Sequence, residues 1–504
     1  RRQRQMCIRD RIILLLYLAA LIFVGKLASR GVSSSDDWAV AGRSLGVWSS
    51  AASYFTTVLS AVSFIGYMGY YYQFGWGGWW NWAGTLICTI LFAGFFAARL
   101  RRFGGVTISD FLDRRFGKAH GAIAAVLILF STVLFTMAQL VASASIIKVI
   151  TGIPEYLSVI IVGIVFLAFT VTGGMKSVAW TSVLTSVLIL FGAYALMIAI
   201  LGKTGGFWEL HRLAYTEDPA LLDPFAGGSI GAGLALSWCV TWGIGNFGLP
   251  QLITKFNSCK DEKTARYSQG ISGILFVLFY LPLMVIGLGM RILRPGIVQT
   301  DTVASIAMVE MVSPLIGGIV LAAILGAAIS TAASVLLQAG TTATRDIYQK
   351  FINPNAEGER VLAISKGTTL TVGIISIVLS LFNSSTVLMI QSNMVGVLGS
   401  MLAMTIIIGF TWKRSNAQGG MAGMLAGILT AVIWYVLKQP FGWMPILPAI
   451  FTSTAANILV SLMTPAPPKE TVDEFFGKKD RIEEEPEKKF ADAAGTGGET
   501  CGQM

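Results

Sequence analysis

Residues Gly326-Ala327-Ala328-Ile329-Ser330-Thr331-Ala332-Ala333-Ser334 are a run of small side chains inside an apolar stretch. Ala327, Ser330, Thr331 and Ser334 fall at i, i+3, i+4 and i+7, so a helix places them on one face. Two hydroxyls and a carbonyl at that spacing can hold a small hard cation, because such ions prefer oxygen ligands. The same composition also suits a close contact between membrane helices. A second stretch, Ser53-Tyr54-Phe55-Thr56-Thr57-Val58-Leu59-Ser60-Ala61-Val62-Ser63, is rich in hydroxyls and β-branched residues and is followed by Gly66 and Gly69. A third, Trp242-Gly243-Ile244-Gly245-Asn246-Phe247-Gly248-Leu249-Pro250, has three glycines and a proline in nine residues. That composition is poor for a continuous helix.

The elements that must carry these residues are membrane spans. Of 504 residues, 54% are hydrophobic and only 13% charged, a balance foreign to a soluble domain of this length. Apolar stretches long enough to cross a bilayer recur along the chain. Unbroken apolar runs exclude a β-barrel and leave helices. The candidate spans, about 13 in all, are 12–29, 47–73, 78–99, 121–150, 156–173, 177–201, 230–253, 269–290, 313–343, 363–382, 387–411, 418–437 and 444–463. The net charge of +10 does not point to nucleic acid, because most Lys and Arg lie in short loops, where they set topology. The five cysteines are scattered without a CxxC and suggest neither a disulfide framework nor a metal site. His120 and His211 fall outside the spans and read as solvated loop residues.

Loops after the odd-numbered spans carry twenty Lys and Arg against six in the opposite loops. The positive-inside rule then puts the N-terminus outside and the C-terminus in the cytoplasm of a multi-pass protein of the bacterial inner membrane. Residues 1–11, crowded with Arg where the outside is expected, read as a non-native or disordered N-terminus. Residues 12–464 read as one transmembrane domain. Residues 465–504, rich in Pro, Lys and Glu and then Gly and Thr, read as a disordered cytoplasmic tail. The two interrupted spans, the second and the seventh, are five apart. Two five-span units, 2–6 and 7–11, therefore run in opposite senses through the membrane, and matched interruptions in inverted repeats point to a transporter's midplane site.

In these residues the chain resembles the sodium:solute symporter family, which includes bacterial proline, sialic acid and sodium/galactose transporters. The likeness is carried by Asp37-Trp38-Ala39-Val40-Ala41-Gly42-Arg43-Ser44-Leu45-Gly46, by Ser53–Ser60, by Gly173-Gly174-Met175-Lys176-Ser177-Val178-Ala179-Trp180-Thr181, by the break in span seven and by Ala327–Ser334, all in order. It implies an all-α polytopic fold with the leucine-transporter-type inverted repeat. It also implies a sodium site made by the carbonyls of Thr56, Leu59 and Ala327 and the hydroxyls of Ser330 and Thr331. Many members carry an Asp for a second sodium site where this chain has Ser182, and a neighbouring hydroxyl position is Ala333. A buried site without its carboxylate loses the charge that offsets cation desolvation, so one sodium per cycle is expected.

The resemblance places the solute at Ser60, Ser63, Asn81, Trp242, Asn246 and Gln391. The site leans polar and uncharged, with Tyr70, Trp79, Trp80 and Trp242 as aromatic walls. The expected function is import of a small polar solute with Na+ as coupling ion and without a cofactor. Nucleic acid and an obligate protein partner are not expected; the lipid bilayer is the solvent. Proton-coupled or uncoupled transport on the same fold is the alternative, although the core spans offer no obvious titratable group. A membrane solute sensor lacks a signalling module in so short a tail. An intramembrane enzyme would need a Ser/His, paired-Asp or HExxH set that the spans do not contain.

Overall fold

The structure, a computed structural model, describes residues 19–20, 23–27, 34–356, 358–382 and 394–477. Residues 1–11, most of the first span, Gln391 and residues 478–504 lie outside the described residues. Among those described the chain is helical, and one isolated bridge, Leu45 to Cys259, is its sole β pairing.

A short helix α1 (Ser35–Val40) leads to α2 (Val47–Val58) and α3 (Ala61–Phe74), the two halves of the second span. Between them Leu59 is extended, at φ −83° and ψ 102°. Ser60 restarts the helix: its side chain accepts from the Ser63 N–H, while Ser63 returns the bond to the Ser60 N–H. Such a reciprocal cap satisfies two of the donors that a new helix start leaves open. The third span is α4 (Trp80–Leu91), which runs on in wider turns through Phe92–Phe96 and as helix through Ala97–Phe103. Then come α5 (Ile108–Phe116), α6 (Lys118–Thr151) and α7 (Glu155–Thr204).

α7 contains the fifth and sixth spans, broken at Gly174, where φ is +62°. A side chain there would be strained by the backbone and would also lie 3.0–3.3 Å from Trp38 atoms. This is the physical content of the Gly-Gly pair.

The second repeat begins after α8 (Phe207–Glu217) with α9 (Ala232–Gly243) and α10 (Pro250–Asn257), the halves of the seventh span. Gly245–Gly248 makes a tight turn and Leu249 is extended. Pro250 opens α10, where its missing N–H costs nothing. Next come α11 (Glu262–Leu293), α12 (Val303–Glu310) and α13 (Pro314–Thr341), the last continuing in wider turns over Thr342–Ile352. α14 (Gly358–Ser380), α15 (Met394–Thr411), α16 (Ala417–Val436) and α17 (Ile446–Met463) complete the spans. Nine described stretches are long and apolar enough to cross a membrane. The count is lower than the number of expected spans because α2, α9 and α10 are half-length, α7 holds two spans, and the first span is largely outside the description.

α13 is the centre of the bundle: 94% of its apolar window is buried, against 33% for α14 and α16. It packs on α7, α6, α14 and α2. An aromatic cluster joins the two broken spans to α4 and α11. Phe92 of the α4 continuation stacks on Phe247 at 4.2 Å, and Tyr54 packs on Phe256 and Phe276. The faces of α7, α14, α16 and α17 turned away from this core expose Leu, Ile, Val and Phe, as lipid requires.

The loops sort into two ends. Those after odd-numbered spans touch one another through Arg102–Glu262, Arg101 to the Cys259 carbonyl, Lys350 with Asp110 and Asp113, and Arg345 with Asp36. The others meet through Arg291–Glu217 and Arg294–Glu310.

α9 and α4 touch through glycine. A Cβ on Gly84 would stand 2.4 Å from the Cys239 carbonyl oxygen and 2.9 Å from the Gly243 nitrogen. Gly84→Val must therefore push apart the third span and the first half of the seventh, an overpacking cost of about 1–3 kcal/mol. The expected result is a lower apparent melting temperature and a lower yield of monodisperse protein by size-exclusion chromatography.

Two expectations are corrected. Part of the stretch 465–504 is ordered: α18 (Lys469–Phe476) docks Phe475 against Phe103 and Phe111, with both ring pairs 5.5 Å apart. Phe475 and Phe476 give this charged segment an apolar anchor that its Pro and Glu content hid. His120 is buried, not solvated: its Nε2 is 2.9 Å from the Ala417 carbonyl, since the start of α6 lies under the start of α16. His211 accepts from the indole of Trp76 at 3.0 Å.

Candidate functional site

The break in the second span exposes backbone. The last carbonyls of a helix have no partner within it, and α2 finds its partners elsewhere. Phe55 O takes the Leu59 N–H at 2.8 Å. Thr56 O accepts the Thr331 hydroxyl at 2.9 Å, and Thr57 O lies 3.5 Å from the same hydroxyl. Val58 O accepts from Ser63 at 3.3 Å. The break is thus stitched to α13 by one threonine and to α3 by one serine.

Side chains close the cluster. Thr56 Oγ1 donates to Ser182 Oγ at 2.8 Å and lies 3.0 Å from Ser330 Oγ; Ser182 and Ser330 are 2.8 Å apart. All four side chains, Thr331 included, are buried. Three elements distant in sequence (α2, the second half of α7, and α13) therefore deliver hydroxyl and carbonyl oxygens to one dry spot. Each hydroxyl keeps acceptor lone pairs, so rotation of its hydrogen presents oxygen to a cation. The structure brings Thr56, Ser330 and Thr331 together; Leu59 sits at the break itself, and Ala327 lies one turn earlier on α13. Ser182, read from sequence as a departure, is part of the same cluster.

One turn along α13, Ser334 Oγ donates to Ser330 O at 2.8 Å and meets Thr57 Oγ1 at 3.2 Å. The Lys255 ammonium donates to Ser334 Oγ at 2.8 Å. Lys255 follows the end of the expected seventh span, 230–253, by two positions, yet the structure buries it at 1% exposure. Its place on a half-helix that continues past the apolar run gave no hydropathy signal.

The expected solute residues divide. Trp242 Nε1 donates to Asn81 Oδ1 at 3.2 Å, so α9 and α4 meet through these two side chains. Asn81 Nδ2 is buried without a protein partner. Asn246 donates its amide to Trp242 O, inside the break of the seventh span. Ser60 and Ser63 cap α3 at the other break. Gln391 lies outside the described residues. The aromatic walls are less uniform than expected. Trp80 turns away to the Pro224 carbonyl at 2.9 Å, and Tyr70 packs on Trp238 at 5.2 Å. Trp79 lies tilted against Trp80, with ring centroids 4.4 Å apart.

The sequence model of the "Sodium:solute symporter family" matches residues 38–427. The osmoregulated proline transporter OpuE of Bacillus subtilis (strain 168) is 26% identical over 481 residues, covering 93% of this chain and 97% of that protein. The sodium/proline symporter of Salmonella typhimurium is 23% identical over 483 residues, 92% of this chain and 95% of its own length. Among solved structures, a substrate-bound, outward-open Na+-coupled sialic acid symporter superposes with a TM-score of 0.79 at 19% identity, covering 91% of this chain and 99% of that one. A nucleobase-cation-symport-1 family transporter follows the same fold with a TM-score of 0.59 at 15% identity, covering 87% and 97%. With a match spanning both broken helices and the hydroxyl cluster between them, the chain belongs to the sodium:solute symporter family, multi-pass membrane proteins that import solutes by sodium-coupled alternating access.

Proposed function

We propose that this protein carries one sodium ion with one small polar solute per cycle. The ion is held by the carbonyls of Thr56, Leu59 and Ala327 and the hydroxyls of Ser330 and Thr331. The observation that carries this reading is the meeting of α2's open carbonyls with α13's hydroxyls in a buried cluster that contains no carboxylate. Sodium there ties the broken second span to α13. The solute lies between the two breaks, against Ser60, Ser63, Asn81, Trp242, Asn246 and Gln391, where Asn81 offers an unpartnered amide donor. Each ligand fastens elements that the other also uses, so each raises the other's affinity by the same factor. In a bacterial inner membrane, with the N-terminus outside and the C-terminus cytoplasmic, the potential adds about 2.3 kcal/mol per charge per 100 mV to inward movement.

Since its relatives include proline transporters, proline is the first solute to test, followed by other amino acids, sugars and carboxylates. The purified protein is screened by thermal shift in sodium chloride and again in choline chloride. The expected result is a solute that stabilises only when sodium is present, because ligands stabilise the state that binds them. Equal shifts in both salts would overturn sodium coupling at this cluster and favour proton-coupled or uncoupled transport.

A further inference from the structure

The transport reading leaves a buried basic group beside the hydroxyl cluster, Lys255, without a role. Lys255, near the end of α10, is among the largest fully buried side chains of the protein. Among the described residues no carboxylate lies within ion-pairing distance of it. Its Nζ donates to Ser334 Oγ at 2.8 Å and rests 3.4 Å from Met175 Sδ. An amine buried without a counter-ion is costly to keep charged and calls for a reason.

Its position supplies one. Ser334 bridges Lys255 and the proposed sodium cluster: it donates to the Ser330 carbonyl and touches Thr57. The side chain of Ser182, the nearest equivalent of a balancing acid, is neutral and already engaged by Thr56 and Ser330. Two monovalent cations so close, with no carboxylate beside them, repel strongly.

We propose that the Lys255 ammonium is a built-in second cation, seated on Ser334 one turn of α13 from the sodium position. It restricts the transporter to one sodium per cycle and sets how tightly that sodium binds. The inference rests on the sodium assignment above. Lys255 is a positioning residue here: it touches neither sodium nor solute. It also makes the ion's arrival felt by α10, the second half of the broken seventh span, because α10 packs against both α2 and α13.

The size of the effect follows from distance. One helical turn plus a hydrogen bond separates the charges by ~8 Å, and at an effective dielectric of ~20 their repulsion corresponds to about a tenfold to thirtyfold change in affinity. The test titrates sodium chloride, with choline chloride holding ionic strength constant, into the purified full-length protein while the melting temperature is followed. Lys255→Gln is expected to lower the half-saturating sodium concentration by about tenfold or more, while the charge-conserving Lys255→Arg stays near wild type.

An unchanged or weakened sodium response in Lys255→Gln would overturn the proposal and leave Lys255 as a structural tie. Should the variants not be recovered folded, equilibrium binding of radiolabelled sodium to the wild-type protein decides. Saturation at one ion per chain supports a resident ammonium, and saturation at two overturns it. A wild-type protein that does not respond to sodium at all would instead overturn the underlying assignment, so the two failures are told apart.

Discussion

Thr331→Val and Ser330→Ala are each expected to raise the sodium concentration for half-maximal uptake by about tenfold or more. Thr331 gives its hydroxyl to the Thr56 carbonyl at 2.9 Å, and valine keeps its shape while removing that oxygen. A hydrogen bond or ligand contact to a charged group contributes about 1.5–3 kcal/mol, which is the origin of the expected factor. Ser330 differs in its partners: its hydroxyl sits 3.0 Å from Thr56 Oγ1 and 2.8 Å from Ser182 Oγ. Its loss therefore removes one candidate ligand and loosens two others. The double variant should fall short of the summed effects, because the two side chains share Thr56 and act as one unit. Sodium-activated uptake into proteoliposomes, over a wide sodium range, measures this directly. The packing alternative for this small-residue face predicts something else: lower thermal stability in both salts with an unaltered sodium dependence. That outcome would remove Ser330 and Thr331 from the sodium site.

The second large effect is on the solute. Asn81→Leu keeps roughly the volume of the side chain but deletes both polar functions. It removes the buried Nδ2 donor that has no protein partner and strands Trp242 Nε1, which now donates to Asn81 Oδ1 at 3.2 Å. Each lost or stranded hydrogen bond costs about 1–3 kcal/mol, so the KM for solute should rise tenfold or more. Sodium-induced stabilisation without solute should be nearly unchanged, because no bond joins Asn81 to the Thr56–Ser330 cluster. The split between the two ligands is the diagnostic feature. A variant that lost sodium and solute responses together would mark Asn81 as a packing residue at the α4–α9 contact. Asn81→Gln, which keeps the amide on a longer stem, is the conservative comparison.

The membrane makes much of this architecture readable from composition. Lipid cannot satisfy a backbone polar group, so spans must be long, apolar and helical, and their order along the chain follows. The interruptions are equally local. Ser60 and Ser63 restart a helix by reciprocal capping, and Gly243, Gly245, Gly248 and Pro250 stop and restart another, each by chemistry contained within a few residues. The hydroxyl face of α13 is a matter of helical spacing. The sorting of charged loops to two ends is likewise legible, because short loops cannot cross the bilayer between spans.

What the tertiary structure decided is which of these local features meet. Thr56 finds Ser182 126 positions away and Ser330 274 positions away, and no periodicity or hydropathy encodes such a distance. Lys255 looks like a loop cation because it follows the apolar run by only a few residues. It is buried because α10 continues inward between α2 and α13. His120 and the α18 helix are illegible in the sequence for a related reason: their partners, Ala417 and the Phe103–Phe111 surface, belong to remote segments. The sequence by itself determined the helices, their breaks and the hydroxyl-bearing face, because solvent and backbone chemistry act locally. Only packing determined the charge, partners and dryness of the site, because those depend on which remote helices exclude water from it.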